Sequence, residues 1–127
     1  MSTKNISYPV KIVIVQIIKE VFPRCFNQLP LKDITYPFAV YEIEIFDKHP
    51  GNILTLTIDL WDNQKNQLTF QNLIDDLVEK LDYITNSDNN KSVHLNGYIK
   101  YNRDMATQEE DLIRVQLQGE YNLYKSY

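Results

Sequence analysis

With 127 residues, 43% apolar and 24% charged, the chain has the size and composition of one globular domain with a real core, which excludes wholesale disorder. A net charge of −4, with 13 Lys and Arg scattered among 17 acids, argues against a nucleic-acid grip, because phosphate binding needs clustered cations. Cys25 stands alone, so no internal disulfide is possible and a reducing compartment is the simplest setting.

The first predicted element is a helix that starts at Ser7-Tyr8-Pro9, with Pro9 in its first turn, and runs to Val21. Its many Val and Ile residues would also suit a strand. Helix is favoured because Lys11, Gln16, Lys19 and Glu20 do not alternate, and three of them cluster on one side of a helical wheel. The apolar run 10–18 is too short to span a bilayer and lacks a small-residue cleavage site downstream, so neither a membrane span nor a signal peptide is expected. Phe22-Pro23 ends the helix. Residues 24–36 read as an irregular connection crossing the core, anchored by Phe26, Leu29 and Ile34.

Two alternating strands follow. In residues 37–46, Tyr41, Ile43 and Ile45 share one face and Val40, Glu42, Glu44 and Phe46 the other. In residues 54–62, Leu54, Leu56, Ile58 and Leu60 lie opposite Thr55, Thr57, Asp59 and Trp61. His49-Pro50-Gly51-Asn52 supplies turn chemistry between them. Leu68, Leu73, Ile74, Leu77, Val78, Leu81 and Ile84 then recur at helical spacing, with Asn66 or Thr69 able to cap and Asp76 placed to pair with Lys80.

Residues 85–90 form a polar break. Two more alternating runs close the chain: Val93, Leu95, Gly97, Ile99 and Tyr101, then Ile113, Val115, Leu117, Gly119 and Tyr121. Each has a glycine on its apolar face, where a helix could approach closely. The connection 102–111 is long for a hairpin, and long loops on rigid sheets commonly carry function. The pattern predicts a single α+β domain over residues 1–127, of order α-β-β-α-β-β, with two helices on one face of a four-stranded, mainly antiparallel sheet.

Little in this pattern points to bond-making chemistry. Glu42, Glu44 and Asp59 share the outward face, but an open sheet face offers neither the shaped pocket of a hydrolytic carboxylate pair nor the convergent oxygens of a divalent site. His49, His94 and Cys25 lack zinc-ligand spacing. Cys25 follows Arg24, which could lower its pKa, yet no candidate base stands nearby and an idle thiol is the simpler reading. The three glycines form no phosphate-cradling loop. No enzyme activity, metal or cofactor is therefore expected. Trp61 is different: parity points it outward, to be covered by a neighbouring loop or by a partner. Tyr121, Tyr124 and Tyr127 raise the same question, though a strand end with a frayed tail explains them more simply.

Tyr36-Pro37-Phe38-Ala39-Val40-Tyr41-Glu42-Ile43, the strand ending Asp59-Leu60-Trp61-Asp62, the helix end Asp76-Leu77-Val78-Glu79-Lys80-Leu81 and the run Asp111-Leu112-Ile113-Arg114-Val115-Gln116-Leu117 together resemble the tail-terminator (tail-completion, head–tail joining) proteins of long-tailed phages and prophages. The resemblance covers most of the chain after Tyr36. It implies a structural protein that closes into a ring, typically a hexamer, on the last ring of the tail tube. Such a ring stops tube polymerisation and offers a surface to the head-completion or connector protein. It also implies assembly in the host cytoplasm, a final place at the head-proximal end of the virion tail, and DNA that passes through without being specifically bound. Ring and tube contacts are expected at Thr55, Thr57 and Trp61 on the outward face and at Asn89, Arg103, Asp104, Glu109 and Glu110 in the two long connections. Two other readings stay open: another minor tail or neck component on the same scaffold, and a small ligand- or protein-binding α+β module.

Overall fold

The computed structural model describes residues 4–30, 32, 34–47, 52–88 and 91–124. Helix α1 spans Lys4–Val21 and helix α2 spans Gln67–Lys80, preceded by one 3-10 turn at Gln64–Asn66. The strands are β1 Cys25–Phe26, β2 Phe38–Asp47, β3 Asn52–Asn63, β4 Ile84–Asp88, β5 Lys91–Met105 and β6 Leu112–Tyr124. They form one mixed sheet in the order β1-β2-β3-β6-β5-β4, antiparallel except for the β1–β2 pair.

Alternation decides which face is covered. Leu54, Leu56, Ile58 and Leu60 of β3 are fully buried, and the register places Ala39, Tyr41, Ile43 and Ile45 beside them on β2 and Val115, Leu117 and Tyr121 on β6. Both helices pack on this side. α1 contributes Val10, Val13, Ile14, Ile18 and Val21, and α2 contributes Phe70, Ile74 and Leu77, each set at the three- and four-residue spacing that makes a helical stripe. Phe22 closes the far end, edge-on to Phe70 with ring centroids 6.2 Å apart.

The α+β class and both helices stand as read from the sequence, but the sheet has six strands among the described residues, not four. β1 is two residues long, too short to show alternation. Residues 84–88, read as a helix end followed by a polar break, form β4 on β5, with Ile84 opposite Leu95. A short polar strand suits an edge, where the ladder supplies the hydrogen bonds and only one side chain need reach the core. β5 likewise runs on to Met105, so the β5–β6 connection is shorter than predicted. Helix α1 begins at Lys4, ahead of the predicted start at Ser7. Leu29 and Ile34 do not anchor the core, being 54% and 43% exposed, and Leu68 is 77% exposed. Asn66 occupies the cap position of α2 without a capping bond from its side chain, and Lys80 reaches Glu20 of α1 at 3.5 Å. The turn predicted at His49 to Gly51 lies outside the described residues.

The glycines serve an aromatic ring, not a helix. Gly97 stands opposite Tyr121 across the β5–β6 ladder, and Gly119 lies one same-face position before it. A Cβ at Gly97 would collide with the Glu120 carbonyl oxygen and sit 2.9 Å from the Tyr121 ring, and one at Gly119 would sit 3.0 Å from that ring. The vacated space lets Tyr121 lie fully buried, its hydroxyl donating to the Leu81 carbonyl at 2.7 Å, just past the end of α2. Burial, with Asp82 adding to it, pushes the Tyr121 phenol well above its usual pKa.

Candidate functional surface

The second face of the sheet carries no helix among the described residues, and its side chains align in rows across four strands. One row reads Phe38, Trp61, Arg114, Met105; the next Val40, Asp59, Gln116, Arg103; then Glu42, Thr57, Gln118, Tyr101; and then Glu44, Thr55, Glu120, Tyr98. A bulge at Lys100, between Ile99 and Tyr101, shifts the register of β5. One extra residue reverses the alternation beyond it, so Tyr101 leaves the apolar face on which its sequence position placed it and is 61% exposed.

The strand end Asp59-Leu60-Trp61-Asp62 organises one end of this face. Phe38 stacks on Trp61 with centroids 6.0 Å apart and planes 9° from parallel, while Tyr36 and Phe26 pack against Phe38. The Arg114 guanidinium lies 5.0 Å from the Trp61 ring centre and donates through Nε and Nη2 to Asp59 Oδ1 at 3.2 and 2.9 Å. Gln116 donates to the same oxygen at 3.2 Å. Asp62, on the opposite parity, is buried and accepts from the Asn63 N–H and the Asn66 amide at 2.7 and 3.2 Å, fixing the turn into α2. Trp61 is thus outward by parity, and its ring is covered in part by its own chain. Its indole Nε1 is buried with no hydrogen-bond partner. Such a group costs about 1–3 kcal/mol.

Thr55 and Thr57 lie half-buried in the middle of the outer face, in the rows of Glu44 and Glu42. Arg103 and Asp104 belong to β5, and Arg103 donates to Gln116 Oε1 at 2.9 Å. Glu109 and Glu110 sit exposed in the β5–β6 turn, which is held by Thr107 Oγ1 at 2.7 Å from the Glu109 carbonyl and by the Gln64 N–H donating to Asp111 O at 2.7 Å. Asn89 lies outside the described residues. Trp61, Thr55, Thr57 and Arg103 therefore share one face, whereas Glu109 and Glu110 stand at its lower end. Arg114 and Gln116, which hold Asp59 and cover Trp61, were missed. Their outward parity in the last strand was the available signal.

The chemistry of individual groups is quiet. Asp59 is engaged by Arg114 and Gln116, and among the described residues no three His, Cys, Asp or Glu side chains come together as a metal cluster. Burial pushes the Cys25 thiol up to about 11, against a smaller pull from Lys19, the reverse of an activated thiolate. His94 is exposed on β5. No helix among the described residues is long and apolar enough to cross a membrane.

No family model matches this chain, and no curated protein matches it. Among solved structures, it is similar to a chain from the virion of a native gene transfer agent (GTA) particle, with a TM-score of 0.62 over 87% of this chain and 90% of that one. Sequence identity is 8%, so what the two share is the fold.

Proposed function

We propose that this chain is a structural component of a phage-like particle and acts there as a tail terminator: a non-enzymatic subunit that closes as a six-membered ring on the end of the tail tube, stops its growth and offers a surface to the head connector. The observation that carries the reading is the outer sheet face, left without a covering layer among the described residues and carrying the half-buried Trp61 at one end. The shared fold with a GTA virion chain supports a place in a particle, and the strand pattern resembling tail terminators supports the place within it. On this reading the partners are the last tube ring, the head-completion protein and further copies of this chain, and DNA passes through the ring unbound.

Trp61→Phe tests the reading because it keeps one ring against Phe38 and removes the N–H together with the rest of the indole. In the free chain, losing an unsatisfied donor offsets part of the lost packing, so melting falls only slightly. In assembly, where the outer face meets its partner, the smaller ring weakens capping of tail tubes by more than it lowers melting. Trp61→Ala lowers both, capping more than folding. If Trp61→Phe caps tubes as well as wild type, the indole is a packing residue and this face is not the contact.

A further inference from the structure

The two long edges of the sheet are open over the same rows. β1 covers β2 only at Ala39 and Val40, which leaves β2 unpaired from Tyr41 onward among the described residues. β4 covers β5 only as far as Leu95, and the Tyr83 N–H takes the Gly97 carbonyl at 2.9 Å, which leaves β5 unpaired from Tyr98 onward. Counted across the ladders, Tyr41 is level with Asn102, Glu42 with Tyr101, Ile43 with Ile99 and Glu44 with Tyr98. The windows therefore face opposite ways at one height. Because β2 and β5 run antiparallel in the sheet, a second copy set beside the first continues it as an antiparallel pair without sliding along the strands.

The edges differ in charge and match in shape. The β2 window presents exposed Glu42 and Glu44, whereas the β5 window presents the bulged Lys100, 3.6 Å from Glu120, and exposed Arg103 beside exposed Asp104. Pairing β2 with another β2 sets carboxylate against carboxylate, and pairing β5 with another β5 sets cation against cation, both unfavourable. Pairing β2 with β5 brings Glu42 and Glu44 to either side of Lys100. Exposed aromatics gather at the same edges: Phe46 is 48% exposed on β2, and Tyr83, Tyr98 and Tyr101 are 59%, 48% and 61% exposed near β5. A recess lined by Tyr83, Asn96, Tyr98 and Lys100 lies level with Phe46, since Asn96 and Phe46 share a row.

The geometry points to a second copy of this chain as the occupant of the β5 edge: the β2 strand of one copy adds to β5 of the next, Phe46 enters the Tyr83–Tyr98 recess, and Glu42 and Glu44 flank Lys100. Such a contact is heterologous: rows at one height remove the rise that would make a helical filament, and a turn between copies about an axis along the strands closes the ring. The inference rests on the ring reading above and adds the surfaces that make the ring.

Charge exchange tests it. The variant E42K/E44K has two basic edges, and K100E/R103E has two acidic ones, so each alone should lose the wild-type assembly and run as a monomer in sedimentation across a concentration series. Circular dichroism establishes that each is folded. An equimolar mixture should regain the wild-type mass, because alternating copies restore every contact in an even-numbered ring. F46A should weaken wild-type assembly at least tenfold in midpoint concentration. Either charge variant assembling alone as wild type does, a mixture that stays monomeric, or a wild-type chain monomeric at every concentration would overturn the edge contact. Capping of tail tubes is scored separately. Capping without the charge dependence overturns the edge contact and leaves the terminator reading standing; charge-dependent rings that ignore tubes do the reverse.

Discussion

Replacing Tyr121 by Phe removes one oxygen from the best-enclosed polar contact in the core. The ring stays in the space above Gly97 and Gly119, so packing is preserved, while the Leu81 carbonyl loses a donor at 2.7 Å. Leaving a buried acceptor unpaired costs about 1–3 kcal/mol. An unfolding entropy of about 2.1 cal/mol/K per residue makes each kcal/mol worth about 4 °C for a domain of 127 residues. The variant should therefore melt about 4–11 °C below wild type at neutral pH. Alkali supplies a second reading. The folded phenol is held well above its usual pKa, while the unfolded one ionises near its ordinary value of about 10. Above that pH the unfolded chain binds fewer protons at this site, so the group's contribution to stability falls by up to about 1.4 kcal/mol per pH unit. The Phe variant lacks that slope. Urea titrations from neutral to alkaline pH should show the gap narrowing above about pH 10. Equal melting at neutral pH, or a gap constant through alkali, would show that the hydroxyl is not the buried donor described.

Gly97→Ala should destabilise by about 1–3 kcal/mol or more, and by more than Gly119→Ala, because the new Cβ meets backbone at 97 but yielding side-chain ends among its contacts at 119. Urea midpoints of the two variants check the order. Cys25, with its pKa pushed up to about 11, should alkylate slowly at mildly alkaline pH and at the rate of a free thiol once unfolded; equal rates in both states would contradict its burial.

How much of this was legible in the sequence depends on how far period-two alternation reaches. β3 was readable because four leucine and isoleucine positions alternate with polar ones, and its register with β2 and β6 carries that parity across the sheet. β1 and β4 were not readable: one has two residues, and the other has a single apolar residue, Ile84, among its five. The bulge at Lys100 was hidden for a different reason. It inserts a residue without any glycine or proline to mark it, so counting parity through Ile99 to Tyr101 assigned the tyrosine to the wrong face. At Trp61 parity was sufficient for direction but not for environment, since Phe38 and Arg114 come from strands distant in sequence. The same holds for the two open edges, which only the pairing of β1 and β4 defines.

The most direct measurement is electron microscopy of tail tubes polymerised in the presence of this chain. Copies joined into a ring that ends the tube should leave tubes of arrested length, each bearing one terminal ring with an open centre. Tubes that keep elongating while the chain stays free in solution would contradict the account.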